Sequence, residues 1–179
     1  MTVEELLLYF FKYFSLTMLI AAVVAAVINR AVKRATPEGN FWEHLFRWTS
    51  FLAAGVVGFF TFAFHVFDPE RAAQVIGWQT SPFQYEVGIA DLVAGVLGVL
   101  AFWGSHGFRL AATIGIAVWL WGDAVGHVRQ IILAHNYEPG NAGPWLWTDV
   151  LVPAVMIVAL CASGRSKAAA ASGPRRTVA

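Results

Sequence analysis

Charge and sulfur are scarce in this chain. Of its 179 residues only 13% are charged, and one, Cys161, is a cysteine. A single cysteine excludes an internal disulfide and any cysteine-built metal cluster; in an apolar run it reads as a small hydrophobe. Twelve Lys and Arg against eleven Asp and Glu leave a net charge of +1, with no basic face of the kind that grips nucleic acid. Catalytic signatures are missing too. There is no glycine-rich phosphate loop and no nucleophile elbow, and "GDAVGH" lacks phosphate-loop spacing, so no catalytic residue is assigned. No inverted repeat is evident either, which argues against a stand-alone transporter.

What is abundant is apolar surface. Hydrophobic residues make up 58% of the chain, with eight Trp and fourteen Phe, and the mean hydropathy is +0.62. Soluble domains carry about a quarter charged residues, so this composition predicts a polytopic membrane protein. Five stretches approach the roughly 20 residues that cross a bilayer. They are span 1 at 6–28, span 2 at 45–64, span 3 at 83–103, span 4 at 108–133 and span 5 at 145–161.

The fold class expected is all-α: a five-span membrane helical bundle, with a four-helix core and an N-terminal span at its periphery. Residues 1–163 form one transmembrane domain, and 164–179 a disordered, basic cytoplasmic tail.

The segments between spans carry turn and cap chemistry. "DPERAAQVIG" predicts a short interfacial helix with Asp68 as N-cap, Pro69 first and Gly77 at its end. "SPFQ" predicts a capping box at the start of span 3, using Ser81 and Gln84. Pro153 lies inside span 5 and predicts a kink. The beginning, "MTVEELLLYFFKYF", is acidic where a signal peptide is basic, so span 1 reads as a retained first span.

Lys and Arg also predict orientation. Arg30, Lys33, Arg34, Arg47, Arg109, Arg165, Lys167, Arg175 and Arg176 share one side of a five-span topology; Arg71, Arg129 and Lys12 belong to the other. This bias places the N-terminus outside and the C-terminus in the cytoplasm of a bacterial inner membrane.

The stretch "WGDAVGHVRQ" then poses the functional question, because it puts Asp123 and His127 one helical turn apart within an apolar span. Positions four apart share a face. Asp91 lies on the glycine face of span 3, with Gly88, Gly95 and Gly98, and span 4 carries Gly115, Gly122 and Gly126. Small residues let membrane helices approach closely, so spans 3 and 4 are expected to pack through these glycines and turn Asp91 toward Asp123 and His127.

Two readings of the pair stand open. One is a structural hydrogen bond between helices, of order 1 kcal/mol. The other is a site at the base of an outward cavity, since intramembrane charges mark ion, proton or ligand paths. In that reading Asp123 and His127 form the floor, Asp91 faces them, and Glu86, Asn141 and Asp149 line the mouth. The occupant is a small ligand or cation. Asp91, Asp123 and His127 are also candidate metal ligands, although the set lacks the paired Glu-x-x-His signature of di-metal bundles.

Several groups have simpler readings. Glu86 suits the positive end of the span 3 helix dipole, and Asp149 has a similar account at the start of span 5. Arg129 reads as an anchor or a partner of Glu86 or Glu138. His65 reads as interfacial, His44 and His106 as solvated, and His135 as a helix cap. Most tryptophans form an interfacial belt.

At "SPFQYEVGIADLVAGVLG", "GDAVGHVRQIILAHNYEPGNAG" and "TDVLVPAV" the chain resembles a family of small bacterial integral membrane proteins of unknown function, with a distant likeness to the DoxX-type four-helix membrane fold. The resemblance spans residues 77–160 and extends to span 2. Its matching positions are Phe83, Glu86, Gly88, Gly126, His127, Asn136, Pro139, Gly140, Asn141, Asp149 and Pro153. It implies a fold and no reaction, and it groups His127 with the "PGNAG" loop and Asp149.

The function expected is therefore a multi-pass membrane protein that binds a small ligand or cation, or serves as an accessory subunit. The alternatives are a membrane redox or metal-dependent enzyme and a purely structural subunit. No cofactor is assigned. The expected partners are the lipid bilayer and, beyond a small ligand or cation, a homo-oligomer or larger membrane complex.

Overall fold

A computed structural model describes residues 3–32 and 40–171. Every regular element among them is helical. In chain order they are α1 (Val3–Val32), α2 (Phe41–Trp48), a π-helical segment (Thr49–Val56), α3 (Val57–Phe67), α4 (Pro69–Ile76), α5 (Phe83–Ala101), α6 (His106–Ala134), α7 (Pro139–Ala142) and α8 (Pro144–Ala171). The α2–π–α3 unit is one continuous rod. Five helical stretches are long and apolar enough to cross a membrane: Tyr9–Val32, Phe41–Phe67, Phe83–Ala101, His106–Ala134 and Pro139–Gly164. The five-span, all-α architecture is thus as expected. Lys33, Arg34 and most of the "TPEGN" turn lie outside the described residues, as does the last part of the basic tail, residues 172–179. α8 continues to Ala171.

Burial separates two environments. Ala26, Phe46, Ile116, Val152 and Met156 lie inside the bundle, whereas Ile20, Val24, Ile114, Val118 and Val125 point outward. Outward apolar side chains along membrane-length helices are what a lipid solvent permits. α1 lies along α2, the π segment and α8, with Thr148 Oγ1 donating to Ser15 Oγ at 2.9 Å and Trp145 Nε1 to the Phe11 carbonyl at 3.2 Å.

The glycine interface is not the one the sequence pattern suggests. The glycines of α5 meet the α2–π–α3 rod rather than α6. A Cβ on Gly58 would stand 2.6 Å from Gly95 N, and one on Gly98 would stand 2.6 Å from both Gly55 N and the Ser50 carbonyl. Glycines on both rods let the backbones touch, so the two rods claim each other. In α6, by contrast, nothing lies within 4 Å of a Cβ on Gly122, and Gly126 would meet only the rim of Trp78 at 3.8 Å. Stripe spacing alone does not tell a packed face from an outward one.

Caps shape the end where α4 and α7 lie. Gly77, at φ 74°, ends α4 in the left-handed region, and Trp78 N–H donates to the Ala73 carbonyl at 2.9 Å. This is the six-to-one closure that glycine allows without strain. The capping box at span 3 does not form. α5 begins at Phe83 with no side-chain cap, and Gln84 Nε2 donates to the Pro69 carbonyl at 2.9 Å instead. The glutamine ties α5 to the start of α4, a tertiary bond that displaces the local one.

Candidate functional site

A cavity lies within the bundle, lined from α3, α5, α6 and α8 and reached by α1 through Phe11. Its walls are largely apolar, with Phe64, Ile116 and Trp145 among them. Into it the helices bring Thr61 and His65 from α3, Asp91 from α5, Asp123 and His127 from α6, and Asp149 from α8. Val75 and Ile76 of α4 and Gly140 of α7 line it where those short helices meet. Water-sized molecules have ≈ 90 Å³ in which to place their centres, several times the roughly 10–15 Å³ that holds one water.

His127 is oriented by a network whose donors and acceptors can be worked out. Asn141 is fully buried. Its Nδ2 donates to the Asn136 carbonyl at 2.9 Å and to the His127 carbonyl at 3.3 Å. Its Oδ1 accepts from Trp78 Nε1 at 3.1 Å. Carbonyls only accept and an indole N–H only donates, so both contacts fix the same amide orientation. Oδ1 is then an acceptor for His127 Nδ1 at 2.8 Å, and the proton must sit on Nδ1. This leaves Nε2 pointing toward Asp149, whose Oδ2 is 3.7 Å away, beyond direct hydrogen bonding.

The loop that carries Asn141 is itself pinned. Asn136 Nδ2 donates to the Ile76 carbonyl at 2.9 Å and the Gly77 carbonyl at 3.2 Å. A Cβ on Gly140 would stand 2.4 Å from the Val75 carbonyl oxygen, so α7 rests on α4 in backbone contact.

The three carboxylates differ in their partners. Asp91 Oδ1 accepts from Trp119 Nε1 at 3.0 Å. Asp149 is 91% buried, as its 9% exposure implies, yet among the described residues its carboxylate makes no hydrogen bond; His127 Nε2 is its nearest basic group, and the acids Asp91 and Asp123 share its surroundings. Asp123 is half-buried, and no hydrogen bond or ion pair within the described residues reaches its carboxylate. Pro153 has no N–H, so the Asp149 carbonyl also lacks its i+4 donor.

Of the residues singled out by sequence, Asp91, Asp123, His127 and Asp149 come together at the cavity. Asn141 stands behind His127 as its orienting partner. Glu86 does not join them; it is exposed on the first turn of α5, where the helix dipole accounts for it. Among the described residues no three His, Cys, Asp or Glu side chains are grouped to hold a metal ion, so Asp91, Asp123 and His127 share a cavity without forming a ligand cage. His65 lines the cavity, and its Nδ1 is buried with no hydrogen-bond partner. The signal for it was available: Thr61 and His65 are four apart on one face of α3. Trp119, deeper in its span than an interfacial belt would place it, is the donor that holds Asp91.

The opposite end of the bundle holds a buried ion pair. Glu43 and Arg109 are each 5% exposed, and Arg109 Nη1 donates to Glu43 Oε1 at 2.8 Å. The other guanidinium nitrogens donate to the Ala101 carbonyl at 3.0 Å and the Phe102 carbonyl at 2.9 Å, closing the end of α5. Arg47 Nε adds a second contact to Glu43 Oε1 at 2.8 Å. His44, expected in solvent, is buried here at 5% exposure. A charge at a helix end is loop-like in sequence, and only the neighbouring helix makes it interior.

The sequence profile of one protein family, described as a family of unknown function (DUF6790), matches residues 12–169. No curated protein and no solved structure matches the chain. With nearly its whole length matched, and five membrane-length helices built around a shared cavity, the chain belongs to this family of unknown function.

Proposed function

We propose that the protein is a membrane-embedded binding protein whose cavity takes a small ligand or cation, with Asp91, Asp123, His127 and Asp149 as its polar contacts. One observation carries this reading: five ionisable side chains from four helices, His65 included, converge on one cavity, and among the described residues two of the carboxylates, Asp123 and Asp149, have no hydrogen-bond donor. A group that served only to clip helices together would be paired, because an unpaired polar atom in apolar surroundings costs several kcal/mol. Asn141 and Asn136 act as supports, fixing His127 and the α4–α7 end. Glu86 remains a candidate for guiding a ligand from solvent.

The reading places the chain in a bacterial inner membrane, N-terminus outside, with the cavity nearer the outer face. The Lys and Arg asymmetry supports this. A distant DoxX-like ancestry for spans 2 to 5 rests on their sequence pattern alone.

Purification in detergent tests the reading. We expect a small molecule to be released from the wild-type protein on denaturation and to be missing from Asp149→Asn. A stoichiometric metal or a haem band lost in His127→Ala would replace this function with a redox or metal enzyme. A stoichiometric protein partner, retained when Asp123→Asn and His127→Gln leave assembly unchanged, would make the chain a structural subunit.

A further inference from the structure

We infer that the cavity's occupant is a small organic cation, an ammonium with a compact apolar body. This inference rests on the cavity-binding function proposed above and names its ligand class. Charge comes first. Three carboxylates line the cavity, and among the described residues no Lys or Arg does. Three acids, two of them buried, outnumber the imidazoles of His65 and His127, so the cavity requires positive charge from elsewhere, as protons or as a bound cation. Anions are excluded by the same count.

Geometry separates a cation from protons alone. Asp149 is nine-tenths buried, turned to the cavity and, among the described residues, without a hydrogen bond, and His127 Nε2, 3.7 Å from it, is an acceptor once Nδ1 carries the proton. A carboxylate and a lone pair on adjoining helices are complementary to one N–H-rich cation. An ammonium offers up to three donors, and charge-assisted bonds are the strong ones.

The walls narrow the class further. A hydrated inorganic ion needs a shell of oxygen ligands, whereas this cavity faces its acids with Phe64, Trp119 and Trp145. Aromatic faces attract a desolvated cation and bury its apolar body. The room available, ≈ 90 Å³ for water centres, sets the size at about six to nine heavy atoms, by the roughly 10–15 Å³ that one water needs.

The test uses the full chain in detergent with three probes of one shape: cyclohexylammonium, cyclohexanol and cyclohexanecarboxylate. Unfolding midpoint and tryptophan fluorescence are followed as each is titrated into wild type, Asp149→Asn, Asp123→Asn and the surface variant Asp68→Asn. Cyclohexylammonium is expected to bind saturably to wild type and Asp68→Asn, and about tenfold or more weaker to either cavity variant. Should Asp149→Asn not fold, Asp123→Asn carries the comparison. Cyclohexanol binding as tightly as the ammonium, and equally in all variants, would overturn the cationic class and leave a neutral-ligand cavity, its acids held by protons. Preference for the carboxylate would overturn it as well. No saturable effect of any probe would remove this inference and the cavity-binding function together.

Discussion

His127 Nδ1 and Asn141 Oδ1 are 2.8 Å apart, and that bond settles which nitrogen of the imidazole faces the cavity. The asparagine does so because its other three contacts permit only one orientation of its amide. A buried residue with every donor and acceptor used acts as a template for its neighbour. The nitrogen nearest Asp149, Nε2, is thus placed by a residue that does not itself line the cavity.

Replacing Asn141 should therefore be costly. Asn141→Leu leaves the Trp78 N–H, His127 Nδ1–H and the Asn136 carbonyl without partners. At about 1–3 kcal/mol for the buried His127 Nδ1–H, with less for the part-buried Trp78 and Asn136 groups, a loss of ~2 kcal/mol is expected in equilibrium unfolding in detergent. A change below ~0.5 kcal/mol would show that the network contributes nothing.

The two arginines on Glu43 should behave differently. Arg109 is buried and spans Glu43 and two helix-end carbonyls, so Arg109→Ala should cost about 3–5 kcal/mol. Arg109→Lys should not restore it, since an ammonium cannot reproduce the fork. Arg47 has a side chain 39% exposed, so Arg47→Ala should cost no more than ~1 kcal/mol. Equal losses for both arginines would refute this assignment.

Glycine substitutions should divide by partner rather than by helix. Gly58→Ala and Gly95→Ala drive a methyl into backbone on the facing rod, at 2.6 Å and 3.0 Å, and each should cost about 1–3 kcal/mol. Gly122→Ala meets nothing and should be neutral or slightly stabilising, alanine being the better helix former. Thermal unfolding of the three variants checks the order.

Orientation can be read by labelling. In a Cys161→Ser background, a cysteine replacing the exposed Gln79 should react with a membrane-impermeant maleimide in intact spheroplasts. One replacing the exposed Ser105 should react only after permeabilisation. The reverse pattern would invert the proposed topology.

How much of this was legible in advance varies with the range of the interaction responsible. Span number, the α4 helix and its Gly77 end were readable, because hydropathy and turn chemistry act over a few residues. The convergence of Asp91, Asp123, His127 and Asp149 was partly readable, since an acid in an apolar run has few places to go except inward. His65 and Trp119 carry weak local signals, because a lone histidine near a helix end is commonly interfacial and a tryptophan in a span commonly packs.

The sequence by itself determined that the chain spans a membrane five times as helices. Backbone polar groups in hydrocarbon must bond within their own segment, and that demand is met locally. Tertiary structure decided which faces meet. The Gly55–Gly58 rod captured the glycine face of α5 and left Gly122 of α6 facing outward, Gln84 turned from its own helix to the Pro69 carbonyl, and Asn141 came up behind His127. Each of these outcomes depends on backbones from distant parts of the chain approaching within a few ångströms, and no local pattern encodes that distance.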